Sequence, residues 1–191
     1  MKKLLTVTFL LLVCVGVLSA QAANFPGVSA EHFKTLTTAK RSTAIPLPTW
    51  VPAGFAVEKI EAKLGPRVSL ENKQLVIIYA RKLANGKMQR FSLEAGFDGL
   101  GGLPYDLTKT IASRVGSIDL MYEPPDLDDS SKKTKNFAMT EWFKVGRTDF
   151  HYNGRHGHYN GRHGDPEGDD PNLAMISLAD TERILKSLKR F

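Results

Sequence analysis

Cysteine is almost missing from this chain: Cys14 is the only one in 191 residues. It sits in an apolar run, Leu4 to Leu18, with Lys2 and Lys3 before it and Ala20-Gln21-Ala22 after it. A basic start, a short apolar stretch and a small-residue site are the features of a cleaved secretory signal, here residues 1–22. The run falls short of the roughly 20 apolar residues that a membrane-spanning helix needs, which sets export ahead of anchoring. A lipidated Cys14 is the competing reading, and Val13, where a small residue is expected, counts against it. Cleavage after Ala22 removes the only thiol, so the mature chain has neither disulfides nor thiol chemistry and must be held by a packed core. Taking 22 residues from 191 leaves 169, enough for one core and marginal for two.

Other absences narrow the chemistry. There is no Gly-x-Ser-x-Gly elbow, and outside one short repeat the only histidine is His32; nucleophilic catalysis therefore has no recognisable apparatus. Asp98-Gly99-Leu100-Gly101-Gly102 could cradle a phosphate, but no P-loop lysine and serine follow it, and a flexible loop is the plainer reading. Glu94 and Asp119 read as polar residues alternating on strands and facing water. Trp50 and Trp142 read as core aromatics rather than as a ligand shelf. No catalytic residue is assigned and an enzyme is not expected, although a sheet that curves can still form a pocket. The formal charge is +6, or about +4 once Lys2 and Lys3 leave with the signal. For an exported protein, such a surplus points to anionic lipid or envelope polymers rather than nucleic acid, with simple solubility as the bland alternative.

What is present is mostly strand. The stretch Leu47-Pro48-Thr49-Trp50-Val51-Pro52-Ala53-Gly54-Phe55 combines two φ-fixing prolines, a glycine for a turn and two large apolar anchors. It marks the point where the chain enters a β-rich domain. Before it, Ser29 caps a short helix reaching Lys40, with Phe33, Leu36 and Ala39 on one face, and Ser42 to Pro48 runs extended. Gln74 to Arg81 reads as a central strand, Asn85-Gly86 as a hairpin turn, and Met88 to Ala95 as the returning strand, Phe91 and Leu93 alternating with Arg90, Ser92 and Glu94. Thr108 to Arg114 and Ser117 to Tyr122 form a second hairpin around Val115-Gly116. Helix is the alternative for its first arm, through Leu107, Ile111 and Val115. Asp126 to Lys135 is a polar surface excursion. Phe137 to Lys144 and Thr148 to Tyr152 form a third hairpin around Val145-Gly146-Arg147. Ser177 caps a final helix with Ile184, Leu185 and Leu188 in a stripe and Lys186, Lys189 and Arg190 at its negative end. The expected fold is α+β: a curved antiparallel sheet with the C-terminal helix packed on one face and a short N-terminal helix. Residues 23–45 are read as N-terminal helix and linker, and 46–191 as a single domain with a histidine-rich loop insertion at 151–170.

That insertion contains a duplication. His151-Tyr152-Asn153-Gly154-Arg155-His156-Gly157 is repeated without change from His158 to Gly164. An exact repeat marks a loop that tolerates insertion. His151, His156, His158 and His163 bring four imidazoles within thirteen positions, a ligand set for zinc, nickel or copper. Slippage duplication with no fixed geometry is the alternative. Asp165 to Asp170 imitates a calcium loop but carries Asp170 where the glycine belongs and Ile176 where the last acid belongs, so solvated charge explains it better.

Trp50-Val51-Pro52-Ala53-Gly54-Phe55 resembles the opening motif of a bacterial family found in the extracytoplasmic parts of anti-sigma factors, and is similar to the opening of the C-terminal domain of the MucB/RseB periplasmic regulators. The later order agrees. A hydrophobic strand reaches Tyr79, an Asn-Gly turn follows, a strand pair surrounds Gly116, Trp142 precedes a strand ending Tyr152-Asn153-Gly154, and the chain closes on Ile184 to Leu188. The resemblance spans about Pro46 to Leu188. It implies a periplasmic or cell-surface domain that binds or senses, with an anti-sigma factor as a partner. The chain is read as a stand-alone exported module, without the transmembrane or cytoplasmic sigma-binding segment or the lipoprotein-carrier-like domain of those families. The function expected is an exported, non-enzymatic binding or regulatory domain; the alternative is a metal-binding envelope protein working through the histidine loop.

Overall fold

The computed structural model describes residues 24–97, 108–122, 138–154 and 172–191. Helix α1 spans Ala30–Ala39 and is capped as the sequence predicts: the Ser29 hydroxyl accepts the His32 N–H at 3.1 Å. Its buried face is Phe33, Leu36 and Ala39. The expected extended linker is more than a spacer, because Pro46–Pro48 forms strand β1 and pairs antiparallel with Leu188–Arg190 at the far end of the chain. A strand with proline at both ends is tolerated in a two-stranded ribbon, where half the backbone donors have no ladder partner to lose.

Ten strands are described in all. After β1 come β2 (Ala56–Lys63), β3 (Gln74–Lys82), β4 (Met88–Gly96), β5 (Thr108–Ser113), β6 (Gly116–Tyr122), β7 (Ala138–Thr140), β8 (Phe143–Val145) and β9 (Thr148–Asn153). Helix α2 (Leu178–Lys186) and β10 (Leu188–Arg190) close the chain. The main sheet is antiparallel and open, in the order β2-β3-β4-β9-β7-β6-β5, with β8 also paired to β9. The α+β class with a short N-terminal helix and a C-terminal helix holds.

One expectation prevails over its alternative, and two are corrected. The helical alternative for 108–115 gives way to strand, because Ile111 lies opposite Ile118 and buries its side chain there. The first arm of the third hairpin is two short strands, broken at Glu141-Trp142, where the Glu141 N–H turns to the Asp119 carbonyl at 2.9 Å. Leu188 does not continue the helical stripe. The helix stops at Lys186, and Leu188, Lys189 and Arg190 are extended in β10.

One face of the sheet makes the core. Leu75, Ile77 and Tyr79 of β3, Phe91 and Leu93 of β4, and Phe150 and Tyr152 of β9 are all fully buried. Tyr79 and Phe91, cross-strand partners, stack in parallel with centroids 4.7 Å apart. Leu36 and Ala39 of α1, Ile184 and Leu185 of α2, and Leu47 and Leu188 of the ribbon join the same core, so both helices and the ribbon lie against it. Burying even one such large apolar side chain contributes about 1.5–3 kcal/mol, which is how a chain without disulfides is held.

The opening motif is explained by two contacts. Pro52 to Phe55 is a tight turn in which the Phe55 N–H reaches the Pro52 carbonyl at 3.2 Å and Gly54 takes φ +87°. A positive φ at the third turn position is what glycine supplies at little cost. Arg81 then lies over the Phe55 ring at 4.7 Å and donates to the Ala53 carbonyl at 3.1 Å, tying the turn to β3.

Candidate functional site

The sheet's second face carries the polar residues. Because directly paired residues share a face, the register writes two rungs across it. One runs Glu61, Val76, Glu94, His151; the other runs Lys59, Ile78, Ser92, Asn153, Met139, Met121, Thr108. His151 is the one predicted metal ligand on a described element. His156, His158 and His163 lie outside the described residues, as do the Asp98–Gly102 loop, the polar 126–135 excursion, the 165–170 acids and the leader.

His151 is held from two sides. Its Nε2 lies 3.1 Å from Glu94 Oε2, and its ring packs on Trp142 with centroids 4.3 Å apart. Glu94 also accepts a short hydrogen bond from the Ser92 hydroxyl through Oε1. The His151 side chain is 11% exposed and that of Glu94 25%. Glu94 is therefore not the freely solvated strand residue expected from the sequence; it is a bridge between a serine and a histidine. Nothing in the alternation of β4 could have shown this, because the partner arrives from β9, more than fifty positions later.

Ser92, Glu94 and His151 have the residue types of a nucleophile, an acid and a base, but not their connectivity. In a working triad the hydroxyl bonds the imidazole, which in turn bonds the carboxylate. Here the carboxylate sits between the other two, and Ser92 is fully buried. The arrangement can hold His151 in one orientation and shield it. As metal ligands, His151 Nε2 and Glu94 Oε2 are a pair converging on one point; among the described residues no group of three or more such side chains gathers. Trp50 and Trp142 do not share a site: Trp50 lies under the Arg183 guanidinium at 4.0 Å, whereas Trp142 faces His151.

The ends of the sheet differ from each other in a way that matters for binding. At the β2 end the backbone is partly occupied, since the Val57 N–H donates to the Gly27 carbonyl at 2.8 Å and the ladder with β3 is interrupted between Val57 and Lys59. Lys59, Glu61 and Lys63 add charges along it. At the other end, β5 turns into β6 through Arg114-Val115, so Ser113 and Gly116 form the closing hydrogen-bonded pair. Alternation then puts the main-chain N–H and C=O of Thr108, Thr110 and Ala112 outward. These three residues are exposed, and among the described residues no backbone partner meets them. Sequence reading found this hairpin but not its position at the sheet's edge, which depends on β6 pairing with β7.

Among the described residues no helix is long and apolar enough to cross a membrane. No protein family, no curated protein and no solved structure matches the chain.

Proposed function

We propose that the protein is an exported, non-enzymatic binding domain that takes an extended segment of an envelope protein as an added strand along β5. The observation that carries this reading is the row of outward amides and carbonyls at Thr108, Thr110 and Ala112. An unpaired edge is a template for a further strand: main-chain hydrogen bonds supply affinity, and alternate side chains supply selectivity. The reversed order of Ser92, Glu94 and His151 supports binding over catalysis. The partner class is a membrane anti-sigma factor, through the likeness of Trp50–Phe55 and the later strand order to that group; this part of the reading is analogy.

The test places a photo-crosslinking residue at Ala112 and captures partners in the native envelope. With a second crosslinker at Thr108, an anti-sigma factor joined through either position, and lost from Thr108 when Ala112→Pro is added, is the expected result. Proline at that position removes only an outward donor, so the fold should persist. Equal capture by the proline variant, or crosslinking confined to the β2 end, overturns the edge as the binding site.

A second reading, a metal site for zinc or nickel, rests on the convergence of His151 Nε2 and Glu94 Oε2.

A further inference from the structure

We propose that a basic corner, distinct from the β5 edge, docks the protein on an anionic lipid surface. Three separated segments that meet there carry six cations: Lys40 and Arg41 after α1, Lys144 and Arg147 on the β8–β9 hairpin, and Lys189 and Arg190 on β10. Their proximity follows from contacts between the segments. The Arg190 guanidinium comes within 3.5 Å of the place a Cβ would occupy at Gly146, and the Ala44 Cβ within 3.3 Å of it. The Lys40 ammonium stands 4.9 Å from the centre of the Phe191 ring. Thr43 and Thr148 join their hydroxyls at 2.5 Å, and the Phe191 N–H donates to the Ile45 carbonyl at 2.9 Å. The stretch after α1, the hairpin turn and the last strand are thus one continuous surface.

All six side chains belong to exposed residues, and among the described residues none of them makes an ion pair. This contrasts with Arg90, Lys109 and Lys186, whose charges are met by Glu58 and Glu182. Among the described residues Asp149, the cross-strand partner of Lys144, is an opposing charge at the corner, and setting it against six cations leaves a surplus. Concentrating unpaired cations at one place costs self-repulsion, which is repaid when an anionic partner arrives.

The form of the corner selects the partner. A single phosphate ligand needs fixed, converging donors, whereas these are long side chains spread over a surface, suited to many mobile headgroups. A single-stranded nucleic acid would want exposed aromatic faces for stacking. The Phe191 ring is not free for that: Lys40 lies over it, and Phe25 and Phe33 pack against it at 5.5 and 5.1 Å.

Sedimentation of the mature chain, residues 23–191, with lipid vesicles tests the proposal. Vesicles containing phosphatidylglycerol should bind the protein, pure phosphatidylcholine should not, and salt near 0.5 M should release it, because the attraction falls off within about a Debye length. Replacing Lys40, Arg41, Arg147 and Arg190 by glutamine should weaken binding on the order of a hundredfold or more. The matched set Lys63→Gln, Arg67→Gln, Lys82→Gln and Lys87→Gln removes the same charge elsewhere and should change binding by no more than about threefold, with circular dichroism confirming that both variants fold. Equal losses in the two sets would mean that net charge alone acts and would overturn the corner. Equal binding to neutral vesicles, no binding to anionic ones, or tighter binding to soluble polyphosphate than to vesicles would each overturn the lipid assignment.

Discussion

The Ser187 hydroxyl accepts the Trp50 N–H at 3.2 Å and lies 3.1 Å from the Trp50 carbonyl, across 137 positions of sequence. The Thr49 N–H and hydroxyl add bonds to the Ser187 carbonyl at 3.1 and 2.9 Å. One residue, at the C-terminal end of α2, therefore fastens the opening motif to the end of the chain. Ser187→Ala should lower unfolding free energy by about 1–3 kcal/mol, because it leaves the half-buried Trp50 N–H without its acceptor. Urea denaturation measures this, and an unchanged midpoint would show that water substitutes for the hydroxyl.

Tyr79 gives the opposite expectation. Among the described residues its buried hydroxyl has no hydrogen-bond partner, and burial pushes its phenol well above the ordinary 10.0. Tyr79→Phe keeps the ring stacked on Phe91 and removes the unpaired hydroxyl, so stability should stay level or rise by about 1 kcal/mol. A loss of more than that would reveal a partner for the hydroxyl.

The same burial fixes the alkaline behaviour. Tyr152 is also raised, first by burial, with the Thr181 hydroxyl 3.4 Å away acting in the other direction. In the folded chain both phenols stay protonated where unfolded tyrosine ionises. Their contribution is present below pH 10 and declines as pH rises past it, since the unfolded state then gives up protons that the folded state retains. Absorbance titration should show two tyrosines ionising only together with unfolding.

At the acid end the relevant group is Glu182. The hydrogen bond from Lys109 at 2.7 Å holds its carboxyl below the ordinary 4.5, partly opposed by burial and aided by Lys186. A lowered carboxylate stabilises above its unfolded value, and the benefit disappears as pH falls through the folded one. Loosening of α2 from β5 should therefore appear below about pH 4.5, and Glu182→Gln should flatten that part of the profile. Backbone exchange rates of β5 would report it.

For His151, zinc titration of the wild type against Glu94→Gln and His151→Ala separates support from ligation. If the pair binds metal, both changes should weaken zinc binding about tenfold or more. If Glu94 only orients the ring, both should alter stability by about 1–3 kcal/mol while zinc affinity stays where it was.

Local physics was legible in the sequence. Ser29 and Ser177 cap their helices because a hydroxyl accepts orphan N–H groups wherever it precedes a helical stripe. The β3–β4 hairpin was readable from Asn85-Gly86 and the alternation around it, since turn chemistry and a period of two are properties of neighbours. The end of α2 is less legible for a related reason: Leu188 fits a helical stripe, and only Pro48, its partner in the ribbon, explains why it is extended. Similarly, Glu94 reads as solvated without His151, and the first arm of the β5–β6 hairpin is decided by the pairing of Ile111 with Ile118. Tertiary structure alone decided which strand lies at the sheet's edge, which carboxylate meets which imidazole, and which cations share a corner. Each of these depends on pairings between residues far apart in sequence, and neither spacing nor composition encodes a distance of that kind.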